Sequence, residues 1–289
     1  MKKAALLTAI LALVVATLAV NQVQVARANA AATTLAVVDA AQKPKGDELT
    51  EEFHQLYPLS GAGRVSIANI NGNVHINVWD QNSVKVDAVK RAYSQQRLTE
   101  ATIDVTNTPD SVKIRTNYPE SQNYGGRDRE DNPASVEYTL TVPRRASLQG
   151  AELVNGSLDV EGIQGDVHAS LVNGTVAAAG LGGEVKISTV NGGIGANVAT
   201  FDAAKTVSLN SVNGPIVLIV PPGASADVKA STVHGAITNE FGLTVEDGQY
   251  VGHSLSGQIG SGGIRVRLNN VNGSISIKRT GGGSMEREF

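Results

Sequence analysis

The apolar positions of this 289-residue chain follow a repeat of about 20 residues, and each copy is centred on an Asn-Gly pair. Copies that begin at Val154, Val172 and Val190 lie 18 residues apart and read Val-Asn-Gly, then one variable residue, then an aliphatic one. A sustained period of this length is typical of a stacked repeat protein, because one unit cannot bury its apolar face alone. The corner residues of the copies are Asn71, Asn155, Asn173, Asn191, Asn213, His234 and Asn272.

Four positions carry aliphatic residues in nearly every repeat, and we predict that all four point into the core. Counted from the corner residue, they lie six and four positions before it, directly before it, and three positions after it. Strands of neighbouring repeats then pair about 4.8 Å apart. The pattern predicts an all-β fold, a right-handed parallel β-solenoid (β-helix-like) with stacked Asn-Gly corner repeats of about 18–22 residues. The corner asparagines are predicted to form a hydrogen-bonded ladder.

Alternation with period two extends the strand pattern upstream of these repeats. Runs such as Val65–Ile70 and Val74–Val78 alternate apolar with polar residues, which is typical of half-buried strands. A polar stretch at 121–134 has no apolar spacing and is predicted to be a loop. We therefore predict an irregular, strand-rich half over residues 51–150.

The repeats continue to the end of the predicted domain, although their spacing becomes irregular. Asn-Gly repeats are predicted over 151–279, which gives a single β-solenoid domain over 51–279. Within the last long interval, Phe241–His253 is interpreted as a loop or hairpin that leaves the stack, and Leu255–Ile259 as a degenerate copy of the repeat. The Gly-rich stretch at 280–289 is predicted to be a flexible tail.

The first residues have the features of a secretory signal peptide. Two lysines precede an apolar run over Ala4–Val20, and an Ala-Asn-Ala site ends at Ala30. We predict a signal peptide over 1–30, cleaved after Ala30, with an Ala-Arg-Ala site ending at Ala28 as the alternative. The apolar run is near the lower length limit of a membrane span, so an uncleaved anchor is the competing interpretation. Residues 31–50 have no period and are predicted to be a disordered tether.

Charge and composition exclude several functional classes. The chain has a net charge of −3, and cleavage after Ala30 would remove three basic residues and no acidic one, which makes the charge −6. Nucleic-acid binding requires a basic face, so this mild acidity argues against it. The chain contains no cysteine, which excludes disulfides, cysteine-ligated metals and a cysteine-anchored lipoprotein. The five histidines show no metal-ligand spacing, and no cofactor is predicted.

Two carboxylates are the strongest candidates for catalysis. Asp166 and Glu184 each lie seven residues before a corner asparagine, so stacking is expected to place them side by side. Paired carboxylates on a β-helix, aided by Lys186, could cleave a polysaccharide as a lyase or hydrolase. The alternative, which we favour, is that both are solvated corner residues, and no aromatic residue that could stack on a sugar lies near them in the sequence.

The order of these features resembles a bacterial β-strand-repeat family whose domain has no assigned function and whose members are labelled adhesins. The resemblance covers Val65–Ile277 and supplies no catalytic residues that could be assigned to this chain. His234 departs from the pattern because asparagine is expected there. The matching positions are Gly72, Trp79-Asp80, Val142-Pro143, Asn155-Gly156, Asn173-Gly174, Asn191-Gly192, Val220-Pro221-Pro222-Gly223 and Asn272-Gly273.

These observations favour one function and leave two alternatives open. The first hypothesis is an exported, non-enzymatic, adhesin-like protein that contacts the cell surface or envelope. The alternatives are a polysaccharide-active enzyme on the same scaffold, and a ligand-free structural or stress-associated periplasmic protein. The expected location is periplasmic or extracellular, with no stable membrane insertion after cleavage. The expected partner is an envelope polysaccharide or protein, and open ends of the stack could also allow self-association.

Overall fold

A computed structural model describes residues 48–119, 132–200, 205–248 and 251–280 of the chain. These residues belong to one compact unit, which runs from Gly46 to Phe289. The predicted signal peptide and its cleavage site, the tether up to residue 47, most of the polar loop, and the tail from residue 281 lie outside the described residues.

The prediction of an all-β fold is confirmed, since the described residues form strands and one short helix. The helix, α1, spans Gln95–Glu100. The strands are β1 (Leu49–Pro58), β2 (Arg64–Asn71), β3 (Val74–Trp79), β4 (Ser83–Ala92), β5 (Thr102–Thr108), β6 (Ser111–Asn117), β7 (Ser135–Pro143), β8 (Ser147–Asn155), β9 (Leu158–Glu161), β10 (Val167–Asn173), β11 (Val176–Leu181), β12 (Val185–Asn191), β13 (Ile194–Val198), β14 (Thr206–Asn213), β15 (Ile216–Val220), β16 (Ala226–His234), β17 (Ile237–Asn239), β18 (Val245–Asp247), β19 (His253–Ile259), β20 (Ile264–Asn272) and β21 (Ile275–Arg279).

The strands form two large sheets of mixed orientation. Sheet A has 10 strands in the order β1-β4-β7-β3-β9-β11-β13-β15-β21-β17. Sheet B has 11 strands in the order β18-β19-β16-β20-β14-β12-β10-β8-β2-β6-β5. Each repeat contributes one strand to sheet B and the next to sheet A, with the Asn-Gly pair at the corner between them. Neighbouring repeats pair in parallel, so that Val167 lies opposite Val185 and Val176 opposite Ile194.

The core lies between the inner faces of the sheets, and three of the four predicted inward positions are buried in it. Val185 and Ile187, six and four positions before their asparagine, are 0% and 1% exposed, and Ile194, three positions after it, is fully buried. The fourth prediction was wrong: Val154, directly before an asparagine, is 39% exposed. Side chains alternate along a strand, so a position one before the corner points away from those four and six before it.

The repeats do not stack in chain order, contrary to the sequence prediction. Strand β20 of the last repeat pairs with β14 on one side and with β16 on the other. The last repeat is therefore inserted between its two predecessors, and Asn272 lies between Asn213 and His234. The interpretation of Leu255–Ile259 as a degenerate copy was also wrong, because these residues belong to β19, which runs antiparallel to β16.

The insertion follows from the hairpin that precedes it. Strand β18 lies within Phe241–His253, the segment predicted to leave the stack, and β19 begins at the last residue of that segment. The two strands pair antiparallel and extend sheet B on the outer side of β16. The outer side of β16 is then occupied, so β20 pairs on its inner side. At the other end of the stack, β1 and β5 are antiparallel edge strands, and β1 begins at Leu49, two residues before the predicted domain start.

A cluster of charged groups holds the edge strand β1 to β4. His54 Nδ1 lies 2.7 Å from Asp87 Oδ1, and His54 Nε2 lies 3.1 Å from Glu52 Oε2. The buried Lys90 Nζ lies 2.6 Å from Glu51 Oε1 and donates to two carbonyl groups at the end of α1. The hydrogen bond to Asp87, followed by that to Glu52, raises the pKa of His54.

Because of this cluster, we predict that β1 is held more firmly to β4 at mildly acidic pH than at alkaline pH. A histidine whose pKa is raised on folding adds stability that is fully present below the unfolded pKa, near 6.5, and is lost as the pH rises through the folded pKa. Hydrogen exchange of β1 amides should therefore be slower at about pH 5.5 than at about pH 8.5, after correction for intrinsic rates. His54→Gln should remove this difference. A difference that persists in the variant would contradict the assignment.

Candidate functional site

The corner asparagines form a continuous hydrogen-bonded row along the stack. Each amide nitrogen donates to the side-chain oxygen of the preceding rung: Asn155 to Asn71 at 3.0 Å and Asn191 to Asn173 at 2.8 Å, for example. Equivalent bonds link the other rungs at 2.8–2.9 Å. His234 lies next to Asn272 in register and ends the row. The order of the rungs is Asn71, Asn155, Asn173, Asn191, Asn213, Asn272 and His234.

Buried polar residues, which were not predicted from the repeat pattern, lie two positions before several corners. Thr189 Oγ1 donates to the carbonyl of Gly174 at 3.3 Å, and Asn270 Nδ2 donates to that of Gly214 at 2.7 Å. These donors satisfy corner carbonyls that point into the core. The signal was present in the sequence, because strand alternation turns this position inward like those four and six before the corner. It is aliphatic in two copies, as Leu153 shows, and polar in the other five.

A row of outward-facing β-branched residues, four exposed and three half-buried, runs beside the asparagines on the outer face of sheet B. We call it the aliphatic stripe. The exposed fractions of Ile70, Val154, Val233 and Val271 are 41%, 39%, 44% and 40%. In stacking order the stripe comprises Ile70, Val154, Val172, Val190, Val212, Val271 and Val233.

In β10, β12, β14, β20 and β16, the next outward positions form a row of hydroxyl and amide groups, which we call the polar row; Ala68 and the exposed Glu152 occupy this position in β2 and β8. Its members are linked across strands: Ser170 Oγ lies 3.1 Å from Ser188 Oγ, and Asn269 Nδ2 donates to Asn210 Oδ1 at 2.9 Å. Ser231 Oγ donates to Asn269 Oδ1 at 3.1 Å. Hydrogen bonds to neighbouring rungs hold these side chains in fixed orientations, with their remaining hydrogen-bonding capacity directed outward.

The two candidate catalytic carboxylates are adjacent, but both are held as anions. The backbone N–H of Glu184 donates to Asp166 Oδ1 at 2.9 Å. Lys205 Nζ lies 3.2 Å from the same oxygen, while Lys186 Nζ lies 2.8 Å from Glu184 Oε2. Desolvation works to raise the pKa of Asp166, but the bonds from Glu184 N–H and Lys205 outweigh it and lower that pKa. The hydrogen bond from Lys186 lowers the pKa of Glu184.

Such a pair does not suit acid catalysis of glycosidic cleavage. A general acid must carry a proton near neutral pH, which requires a raised pKa. Both carboxylates here have lowered pKa values and are neutralised by lysines that bind on either side. The arrangement is that of a charged corner network that ties neighbouring repeats together.

A shallow depression of about 340 Å³ lies at the other end of the stack from β1. It is lined by the turn that follows β15, the end of β19, and the side chains of Phe241 and Arg279. The guanidinium carbon of Arg279 lies 4.7 Å from the centre of the Phe241 ring, and its Nε donates to the carbonyl of Glu240. The lining contains no acid-base pair, so this depression offers no evident catalytic chemistry.

Two further features bear on the candidate functions. Within the described ranges, His, Asp and Glu side chains form no group of three that could hold a metal ion. In the same part of the chain, no helix has the length and apolar character needed to cross a membrane.

Over its described residues, the chain is thus an all-β repeat protein with patterned outer rows and no assembled catalytic group. No family model matches the chain, and no curated protein matches it. Its fold is similar to a solved structure described as a "putative cell adhesion protein" from Clostridium sporogenes, with 13% identity, a TM-score of 0.47, and coverage of 81% of this chain and 100% of the other. A structure described as a "putative adhesin" from Bacteroides fragilis has 12% identity and a TM-score of 0.41, with coverage of 81% of this chain and 98% of the other. A second "putative adhesin", from Parabacteroides merdae, has 7% identity and a TM-score of 0.34, with coverage of 81% and 97%.

Proposed function

We propose that the protein is an exported, non-enzymatic, adhesin-like protein that binds an envelope or cell-surface component along the outer face of sheet B. In this proposal the repeats form a right-handed parallel β-solenoid, the first 30 residues are removed on export, and the mature protein acts in the periplasm or outside the cell. The solenoid serves as a rigid support, and the repeated outward rows are the functional surface.

The aliphatic stripe is the observation that carries this proposal. Seven β-branched side chains, from Ile70 to Val233 in stacking order, lie side by side on the outer face; the four at the two ends of the row are exposed, and Val172, Val190 and Val212 between them are half-buried. With strands about 4.8 Å apart, the stripe is roughly 29 Å long. Scattered exposed apolar residues need no explanation, but a contiguous apolar row bordered by polar groups is typical of an interaction surface.

The same geometry disfavours the enzymatic alternative. An enzyme that cleaves polysaccharides needs a carboxyl group that can donate a proton, and the adjacent pair formed by Asp166 and Glu184 has lowered pKa values. The stripe and the polar row also form an extended face, whereas catalytic sites are generally concave.

A variant that keeps the shape of the stripe but removes its apolar character tests the proposal. The triple substitution Val172→Thr, Val190→Thr and Val212→Thr retains β-branched side chains and their strand preference. We expect at least about tenfold weaker retention of the protein on fractionated bacterial envelope or immobilised glycans, since each substitution replaces a methyl by a hydroxyl group and a buried methylene-sized group contributes roughly 0.8 kcal/mol. Retention is measured by mass, and soluble product is monitored in the same samples.

The matched control changes valines on the outer face of sheet A. Val89→Thr and Val217→Thr alter half-buried outward positions of that sheet and should leave retention unchanged. Equal losses in both variants would assign the effect to general surface hydrophobicity and would contradict a site on sheet B. Release of oligosaccharide by the wild-type protein would favour the enzyme instead.

A further inference from the structure

A cluster of three exposed cations lies on the outer face of sheet B beside the polar row. Arg265 and Arg267 are alternate residues of β20, so their side chains leave the same face of the sheet. Lys229 of the neighbouring strand β16 lies directly opposite Arg267 in register. We call these three residues the cationic cluster.

The cluster is not neutralised by the protein. None of its members forms an ion pair among the described residues. By contrast, Lys186 of β12, which like Arg267 lies five residues before its corner asparagine, is paired with Glu184 at 2.8 Å. Asp227 lies opposite Arg265 in register, but its carboxylate accepts instead from Gln258 Nε2 at 2.8 Å and from the backbone N–H of Gly263 at 3.3 Å.

This arrangement has an electrostatic cost that an anionic ligand would relieve. Like charges directly opposite each other on paired strands destabilise a sheet. A basic composition does not account for the cluster, because the whole chain carries a net charge of −3. Local charge complementarity therefore points to an anion on this face.

The groups beside the cluster indicate what kind of anion fits. Across the face, the cations are followed by the amide of Asn269 and the hydroxyl of Ser231, and then by Val271 and Val233 of the aliphatic stripe. Carboxylates can pair with the cations, hydroxyl groups can hydrogen-bond the polar row, and the C–H faces of sugar rings can pack on the stripe. An acidic sugar carries all three kinds of group.

A second group of cations lies near the opposite end of the same face, which favours a polymer over a small molecule. Lys113 and Arg115 are exposed, alternate residues of β6, and neither is ion-paired among the described residues; Asp104, opposite Arg115, forms no ion pair with it. Strands β6 and β20 are six steps apart in sheet B, a distance of about 29 Å. A ligand that reaches both groups must be a chain of many units.

We propose, on the basis of the surface-binding function above, that the outer face of sheet B binds a linear acidic polysaccharide that lies along the stack. The cationic cluster binds its carboxylates, while the polar row and the aliphatic stripe contact the sugar rings. Single-stranded nucleic acid fits less well, because the described strands of sheet B contain no Phe, Tyr or Trp on which bases could stack.

Binding of long-chain alginate by the full chain tests this proposal. We expect saturable binding that weakens with salt and is much weaker for the monomeric uronic acid. Arg267→Gln and Lys229→Gln should each weaken binding by about tenfold or more, because each removes a charge-assisted contact. Arg267→Lys should retain part of the affinity. The matched control is Lys278→Gln, which removes an exposed cation from β21 of sheet A and should leave binding unchanged.

Two competitor probes and the envelope assay separate the outcomes. Binding of oligothymidylate or of phosphatidylglycerol vesicles as tight as that of alginate would overturn the choice of a polysaccharide. Alginate binding that is equally affected by Lys278→Gln, or unaffected by the cluster variants, would overturn the site. Failure to bind alginate while envelope retention persists would overturn this inference and leave the proposed function standing. Failure in both assays would overturn both.

Discussion

Replacing Gly174 with alanine is expected to lower the free energy of unfolding by about 3 kcal/mol or more. Gly174 has a φ angle of +154°, which L-residues with a side chain rarely adopt. A Cβ atom added there would overlap the carbonyl oxygen of Gly156 in the adjacent repeat. That oxygen belongs to the backbone and cannot move aside without separating the two repeats, so strain and overlap add together.

The reason lies in how closely the corners stack. Each corner glycine lies over the backbone of the one before it, and an added Cβ at Gly192 would meet the carbonyl of Gly174 in the same way. Because the contact recurs, the damage is expected at any interior corner. Denaturant unfolding followed by circular dichroism measures the effect through the midpoint, with the slope reported as well because long repeat arrays can unfold in steps.

Gly150→Ala is the matched control for this prediction. Gly150 lies in β8 of sheet B, its φ is not positive, and an added Cβ would have no neighbour within 4 Å. Alanine there should be neutral or slightly stabilising, since it restricts the unfolded chain. Similar losses in both variants would mean that loss of glycine as such, and not the corner contact, determines stability.

Much of this fold could be predicted from the sequence, because the same pattern of apolar residues and Asn-Gly pairs recurs in successive repeats. The Asn-Gly spacing placed Val185, Ile187 and Ile194 in the core, and the structure places them there. It also brought together the asparagines that bond to one another along the corner. These features depend on local alternation and on stacking like residues, both of which act at short range.

The order in which the repeats stack could not be predicted, because several repeats present equivalent strands with which a given repeat could pair. Any repeat can pair with any other that presents the same ladder, so nothing near Asn213 specifies Asn272 over His234 as its neighbour. The decision depends on the β18–β19 hairpin, which occupies the outer edge of β16. A long-range contact between dissimilar strands leaves no periodic signal in the sequence.

The outer face was misread for a different reason. The valines before each asparagine were assigned to the core because they are apolar and invariant within this chain, but strict alternation places them outside. The cationic cluster was missed because Lys229 and Arg267 are 38 residues apart, and only the inserted repeat brings them side by side. Net charge, which argued against nucleic-acid binding, does not report how charge is distributed over one face.

Removing one interior rung of the asparagine row is the second large effect, with an expected loss of about 1–2 kcal/mol in the free energy of unfolding. The side chain of Asn191 donates to Asn173 at 2.8 Å and accepts from Asn213 at 2.9 Å. Alanine would leave both neighbours to be satisfied by water, and the row would be divided into two shorter ones. The measurement is the shift in denaturation midpoint of Asn191→Ala at constant slope.

Two comparisons decide whether the row itself stabilises the protein. Asn77→Ala removes an exposed strand asparagine without a side-chain hydrogen bond among the described residues, and it should change stability by no more than about 0.5 kcal/mol. His234→Asn should add a rung that donates to Asn272 and stabilise the protein by about 0.5–1 kcal/mol. If Asn191→Ala costs no more than Asn77→Ala, and His234→Asn gives no gain, the corner asparagines act only through the turn conformation. If loss and gain are both seen, the bonds between rungs stabilise the stack, and the histidine marks the end of the row.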